Sequence, residues 1–224
     1  MNLKQMAAAK AVELVQSGMA VGLGTGSTTR YAIEMIGQRL RDASLSHIVA
    51  VATSSGSAEL AQGLGIPLTT LQKHPTLDLT IDGADEVGPG LVLIKGQGGA
   101  LLREKIVAQA SRREIIIVDE GKMVQTLGTL APLATEVVPF GWDTYSPALR
   151  SLGCEPVLRM RDGRPYITDE GNYILDCLFD GIQDPVSLER EINRIPGVVE
   201  HGLFIGLATM VLVAFESGVV ELLP

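Results

Sequence analysis

Met19-Ala20-Val21-Gly22-Leu23-Gly24-Thr25-Gly26-Ser27-Thr28-Thr29 decides the fold, because a short apolar run passes through a turn of glycines and hydroxyls into a helix-patterned segment reaching about Arg41. A strand feeding a helix through such a turn is the opening of a βαβ unit. Upstream, apolar spacing at Met6, Ala9, Val12 and Leu14 predicts a helix ending near Ser17-Gly18. Downstream, strand patterns at His47–Ala52, Leu77–Ile81, Leu91–Ile94 and Glu114–Val118 alternate with helical ones, Ser55–Gly63 among them. The Glu114–Val118 run is β-branched and almost wholly apolar, as a strand buried on both faces must be.

After Leu130-Ala131-Pro132 the texture changes to a smaller α+β unit. It carries a helix at Ser146–Leu152, two longer strands around an Arg161-Asp162-Gly163-Arg164 turn, and a helix entered through Asp184-Pro185-Val186-Ser187, with Ser187 as the N-cap. Met210–Phe215 reads as a strand returning to the first sheet. The expected organisation is therefore α/β, with residues 1–130 plus 205–224 forming the large domain and 131–204 the small one.

The chain has 224 residues, 46% hydrophobic and 20% charged, and no apolar run reaches the length of a membrane span. Lys10 and Glu13 interrupt the N-terminal segment before the apolar stretch of a signal peptide can develop. A formal net charge of −8 without a visible basic face argues against nucleic acid, so any anionic ligand must be captured locally. Cys154 and Cys177 lack CxxC spacing and read as buried thiols in a reducing cytoplasm; the scattered His47, His74 and His201 form no metal-ligand pattern.

Four segments fall at strand ends and carry chemistry. In Gly22–Thr29, backbone amides at a helix start and the hydroxyls of Thr25, Ser27 and Thr28 suit a phosphate. Ser27 stands where a dinucleotide fingerprint needs its third glycine, and the next strand ends in Thr53-Ser54-Ser55, with no acid for a ribose, so a phosphate monoester fits better. The competing reading is a tight turn whose hydroxyls only cap a helix. Asp82-Gly83-Ala84-Asp85-Glu86 offers carboxylates for sugar hydroxyls or proton shuttling; a solvated acidic turn is its alternative. Lys95-Gly96-Gln97-Gly98-Gly99 opens the helix carrying Glu104 between Arg103 and Lys105, a combination able to hold an oxyanion beside a proton acceptor. The helix start and neighbouring bases favour the ionised, weaker base, so burial against substrate must offset them. Asp119-Glu120-Gly121-Lys122 places a lysine on the same rim.

In this order and at these separations, the four segments resemble the ribose-5-phosphate isomerases of type A along essentially the whole chain. The likeness extends to Thr135–Phe140 and Gly197–Phe204, with two departures, Gln97 where glycine is frequent and Gly121 where serine is. The resemblance implies a Rossmann-like parallel-sheet domain with a smaller ferredoxin-like α+β domain. It implies reversible isomerisation of D-ribose 5-phosphate to D-ribulose 5-phosphate in the pentose phosphate pathway, without metal or cofactor, by a cytoplasmic homodimer or dimer of dimers. Glu104 would be the general base, and Asp82, Asp85 and Lys95 would share the catalysis. Thr25, Gly26, Ser27, Thr28, Asp82, Gly83, Ala84, Asp85, Lys95, Gly96, Gln97, Gly98, Lys122 and, at the N-terminus, Lys4 would contact substrate. On residues alone two other readings remain open. One is a sugar-phosphate sensing module; the other is a related enzyme, either an isomerase of another sugar phosphate or a CoA transferase.

Overall fold

A computed structural model describes residues 1–224. In chain order the elements begin with α1 (Leu3–Val12), β1 (Ala20–Leu23), α2 (Ser27–Arg41), β2 (Val49–Ala52), α3 (Ser55–Gly63) and β3 (Leu79–Asp82). The short strands β4 (Glu86–Val87) and β5 (Leu93–Ile94) precede α4 (Leu101–Gln109), β6 (Glu114–Asp119) and β7 (Leu133–Val137). Next come α5 (Ser146–Ser151), β8 (Glu155–Leu158), β9 (Met160–Arg161), β10 (Arg164–Pro165) and β11 (Tyr173–Leu178). The chain closes with α6 (Pro185–Ile192), β12 (Val198–His201), β13 (Leu203–Phe204), β14 (Met210–Phe215) and β15 (Gly218–Leu222).

Two compact units result. The first comprises Met1–Ala84, Arg103–Gly121 and Gly206–Pro224; the second comprises Asp85–Leu102 and Lys122–Ile205. The first holds a six-stranded sheet in the order β15-β14-β6-β3-β1-β2, parallel except for the antiparallel edge strand β15. Ile115, Ile116, Ile117 and Val118 of β6 are buried, and β14 returns from the far end of the sequence to lie parallel beside them. Because the strands run parallel, the loops after β1, β2, β3 and β6 leave one edge of the sheet, and the chain reverses its winding between β1 and β3, the place where such sheets bind ligands. Helix α1 starts on a reciprocal cap between Asn2 and Gln5 and buries Ala7, Ala8, Ala11 and Val12 in the main core cluster.

The second unit is built on an antiparallel sheet in the order β12-β7-β11-β8, with α5 between β7 and β8 and α6 between β11 and β12. That β-α-β-β-α-β connectivity is the split βαβ, or ferredoxin-like, arrangement. Its core gathers Leu133, Val137, Leu149, Leu175, Ile192 and Leu203. Cys154 and Cys177 are buried in the same core, where the hydrogen bond with Cys154 and burial push the Cys177 thiol well up, leaving it unreactive. A three-stranded sheet, β13-β5-β4, belongs to this unit too, which gives it residues 85–102, and residues 122–130 fall in it as well; the sequence reading keeps both stretches with the large domain.

Several elements depart from the sequence expectation. The strands expected from His47 and Leu91 start at Val49 and Leu93, because His47 and Leu91 both take a left-handed backbone (φ 57) that no strand accommodates. The two longer strands expected around Arg161–Arg164 are interrupted: the two-residue β9 and β10 flank the turn, and the longer β8 and β11 pair antiparallel further out, with β7 on the other side of β11. Their turn has φ 52 at Asp162 and 74 at Gly163, as a tight two-residue hairpin requires. Helix α6 starts earlier than expected: Pro185 takes the first helical position and Asp184, not Ser187, is the N-cap, its carboxylate accepting from the Ser187 amide at 3.0 Å.

Glu136, in the middle of β7, is 1% exposed; burial pushes its carboxyl above the usual range, while hydrogen bonds from Asn172 and Thr168 pull the other way. A carboxyl raised in the folded state contributes stability in full below its unfolded value, about 4.3, and loses that contribution as pH rises through the folded value. Glu136→Gln keeps an acceptor for both donors and removes the buried charge. Its urea midpoint at pH 7 should therefore lie above that of the wild type, with the gap closing as pH falls through the raised folded value towards about 4.3. A midpoint lowered at pH 7 would mean that the hydrogen bonds outweigh the burial of charge.

Candidate active site

In the first unit, the β1–α2 loop and the end of β3 meet at the reversal of the sheet. The Thr25 amide donates to Asp82 Oδ1 at 3.1 Å, and the Gly83 amide to the same oxygen at 2.7 Å. Asp82 is 1% exposed, and Gly24 lies so close that any side chain there would overlap its carboxylate. Gly26 caps α2 with φ 122, a conformation open to glycine, and offers no side-chain cap. The first amides of α2 therefore begin the helix without intrahelical acceptors, beside the hydroxyls of Ser27 and Thr28. Lys4 Nζ donates to Ser27 Oγ at 2.9 Å, so the N-terminal lysine reaches the loop and adds positive charge to it. Thr25 Oγ1 points elsewhere. It is 2.8 Å from both Thr53 Oγ1 and Ser54 Oγ, and Ser57 Oγ donates to Gly24 O at 2.7 Å.

This hydroxyl cluster is the part of the site that sequence reasoning missed. In sequence Thr53-Ser54-Ser55 stands out only as lacking an acid for ribose, whereas the hydroxyls of Thr53 and Ser54, with Ser57, hold the β1–α2 loop from behind. The signal was there: three hydroxyl residues directly after a buried strand, at the same sheet edge as the glycine turn. Glu104 lies in the first turn of α4 and is 4% exposed, a depth that excludes water from its carboxylate.

The second unit brings together Asp85 and the Lys95–Gly98 loop. The Asp85 amide donates to Ile94 O at 2.8 Å, and Asp85 Oδ2 accepts from the Gln97 amide at 3.0 Å. Lys95 is 3% exposed; its amide donates to Gly202 O at 2.9 Å and its Nζ lies 5.3 Å from the centre of the Phe204 ring, a cation–π distance. Gly96 (φ 113) and Gly99 (φ 78) both need the left-handed freedom of glycine. Gln97 and Gly98 are exposed, so Gln97 occupies its departed position without burying a polar group. Lys122, half-buried, starts a segment that runs alongside β4, where the Val124 amide donates to Val87 O at 2.9 Å.

Glu86 separates from the other carboxylates of its segment. It is fully buried and accepts from the amides of Gly128 (2.6 Å), Leu130 (2.5 Å) and Ala131 (2.7 Å), which assigns it to holding the chain that enters β7.

Comparison with known proteins gives these groups a context. The family model of Ribose 5-phosphate isomerase A (phosphoriboisomerase A) matches residues 49–218. "Ribose-5-phosphate isomerase A" of Gloeobacter violaceus is 54% identical, covering 99% of this chain and 96% of its own length. The protein of the same name from Chloroflexus aurantiacus is 55% identical over 96% of this chain and 91% of its own. A solved D-ribose-5-phosphate isomerase in complex with phospho-erythronic acid is 41% identical and superposes with a TM-score of 0.97, covering 100% of both chains. Fold and relatives together define an enzyme of the aldose–ketose isomerase class. The chain belongs to the ribose-5-phosphate isomerase A family.

Proposed function

We propose that this chain interconverts D-ribose 5-phosphate and D-ribulose 5-phosphate, in the non-oxidative pentose phosphate pathway, through an enediolate formed by Glu104 as general base. The single observation that carries the chemical reading is the composition of the Lys95–Gly98 loop. A buried lysine and a glycine-rich turn exposed at Gln97 and Gly98 stand beside Asp85, as charge developing on a sugar oxygen would require.

Moving the carbonyl from C1 to C2 takes a proton from C2 and returns one to C1. Glu104 accepts the C2 proton, leaving an enediolate with negative charge on its oxygens, and then delivers a proton to C1. Lys95 and the amides of Gly96 and Gly98 stabilise the charged oxygen, a contribution of about 3–4 kcal/mol for a well-placed donor, while the Gln97 amide is taken by Asp85. Asp82 and Asp85 carry protons between the hydroxyl and carbonyl oxygens or assist ring opening. Gly26, Ser27 and Thr28 take the phosphate with Lys4, supported by the 2.9 Å contact of Lys4 with Ser27, while Thr25, expected to join them, has its amide on Asp82 and its hydroxyl on Thr53 and Ser54 and shapes the loop instead. Gly83, Ala84, Gln97 and Lys122 complete the substrate contacts. Phospho-erythronic acid, held by the solved relative, fits the same chemistry, since its carboxylate resembles the planar enediolate.

This scheme asks for no metal or organic cofactor. The resemblance supports a homodimer or dimer of dimers; buried thiols and a net charge of −8 support a cytoplasmic protein with no nucleic-acid partner. The test is formation of ribulose 5-phosphate from ribose 5-phosphate after exhaustive chelation. Undiminished turnover is expected, and turnover lost on chelation and restored by a divalent ion would replace the carboxylate–lysine scheme with a metal-assisted one.

A further inference from the structure

The back of the Lys95–Gly98 loop is gripped by residues that neither the sequence motifs nor the proposed scheme uses. Arg159, between β8 and β9, donates through Nη1 to Gly96 O at 2.8 Å and to Gln97 O at 3.2 Å. Its Nε and Nη2 meet the two carboxylate oxygens of Asp176 on β11 at 2.9 and 2.5 Å. This fork-to-fork pair is mostly buried, with side chains 13% and 19% exposed. Tyr166 completes the grip. Its ring lies 5.9 Å from the Arg159 guanidinium, its hydroxyl is 3.5 Å from Gly98 O, and it packs so closely on Gly99 that a side chain there would overlap it.

The consequence follows from the trans peptide, in which N–H and C=O point in opposite directions. With the carbonyls of Gly96 and Gln97 drawn to Arg159, the amides of Gln97 and Gly98 must face away from it. The Gln97 amide does so and meets Asp85 at 3.0 Å, and the Gly98 amide, in the peptide whose carbonyl Arg159 takes at 3.2 Å, is turned away from Arg159 in the same way. The Gly99 amide shares Gly96 O at 3.0 Å, so the guanidinium reinforces the turn at the first peptide and holds the second through Gln97 O, and Asp176 sets the guanidinium. A lysine could supply the charge but not a planar fork that meets two carbonyls and a carboxylate together.

We infer that Arg159, fixed by Asp176 and Tyr166, is a positioning residue for the isomerisation, holding the Lys95–Gly98 loop with the Gln97 amide on Asp85 and the Gly98 amide toward the developing enediolate charge. This rests on the reading above that the loop stabilises that charge. A donor misplaced by about 1 Å costs on the order of 10²-fold. Arg159→Gln should therefore lower kcat by roughly 10–100-fold while KM for ribose 5-phosphate moves less than about threefold, and affinity for phospho-erythronic acid should fall in step with kcat. Arg159→Lys should fall between the two proteins.

Lys95→Gln is measured alongside. If Lys95→Gln keeps full kcat, the loop does not stabilise charge and the site reading falls together with this inference. If Lys95→Gln is inactive while folded Arg159→Gln stays within twofold of the wild type, the site reading stands and Arg159 has no positioning role. A purely structural role would lower the unfolding midpoint and leave kcat and analogue affinity alone, which also overturns the inference. Full activity in Arg159→Lys would show that charge suffices without the fork. Should Arg159→Gln fail to fold, the same comparison of kcat, KM and analogue affinity is read from Arg159→Lys, where wild-type values again overturn it.

Discussion

Glu104→Gln is expected to lower kcat for ribose 5-phosphate isomerisation by about 10³-fold, within the 10²–10⁴ that a positioned general base contributes. The substitution is nearly isosteric and keeps a hydrogen-bonding oxygen, so the buried site retains its shape while losing the ability to take a proton. In the proposed scheme the substrate's phosphate and hydroxyls are held by other residues, which Gln leaves intact; KM should stay within about threefold and the loss should appear in kcat. Circular dichroism and the thermal midpoint check that the variant is folded. Burial matters to the argument, because Glu104 is 4% exposed although it stands at a helix start between Arg103 and Lys105. A folded variant with more than a tenth of wild-type kcat would transfer the base to Asp82 or Asp85, and their asparagine variants would then identify which.

The fold was legible where one physical requirement governed a whole segment. Glu114–Val118 could only be a buried strand, and Gly22–Thr29 only a strand-to-helix turn, since apolar branched residues and glycine–hydroxyl runs leave few alternatives. The small unit was legible in class but not in pairing. Its strands beside the Arg161–Arg164 turn are broken next to Arg159 and Tyr166, whose side chains reach the glycine loop, a tertiary contact that no local pattern carries. The site divides along the same line. Lys95, Asp82, Asp85 and Glu104 announce themselves as charged residues beside glycines or at strand ends, whereas the Thr53–Ser57 hydroxyls and the Arg159–Asp176 pair act by reaching across long sequence separations. The Asp82–Glu86 run shows the limit most sharply: three carboxylates look alike in sequence, and only the acceptor count at Glu86 removes it from the chemistry.

That separation has a measurable consequence in stability. Glu86→Ala should destabilise the protein by about 3–5 kcal/mol, the range seen when one partner of a buried charged network is removed. The amides of Gly128, Leu130 and Ala131 all converge on its carboxylate, so truncation deprives them of their acceptor together, and the 0% exposure of Glu86 leaves no route for bulk water to replace it without opening the loop. For a chain of this size the corresponding fall in thermal midpoint is about 6–20 °C, at roughly 2–4 °C per kcal/mol. Glu86→Gln should fall between, because its amide oxygen can serve Leu130 and Ala131 while its NH₂ faces the Gly128 amide donor to donor. Activity gives the discriminating reading: at a temperature where Glu86→Gln is fully folded, kcat should remain within about threefold of wild type, in contrast to the loss of two or more powers of ten expected for a proton-transferring carboxylate. A folded Glu86→Gln with kcat reduced a hundredfold would return Glu86 to the catalytic group, and an undiminished unfolding midpoint in Glu86→Ala would show that the 128–131 backbone has another acceptor.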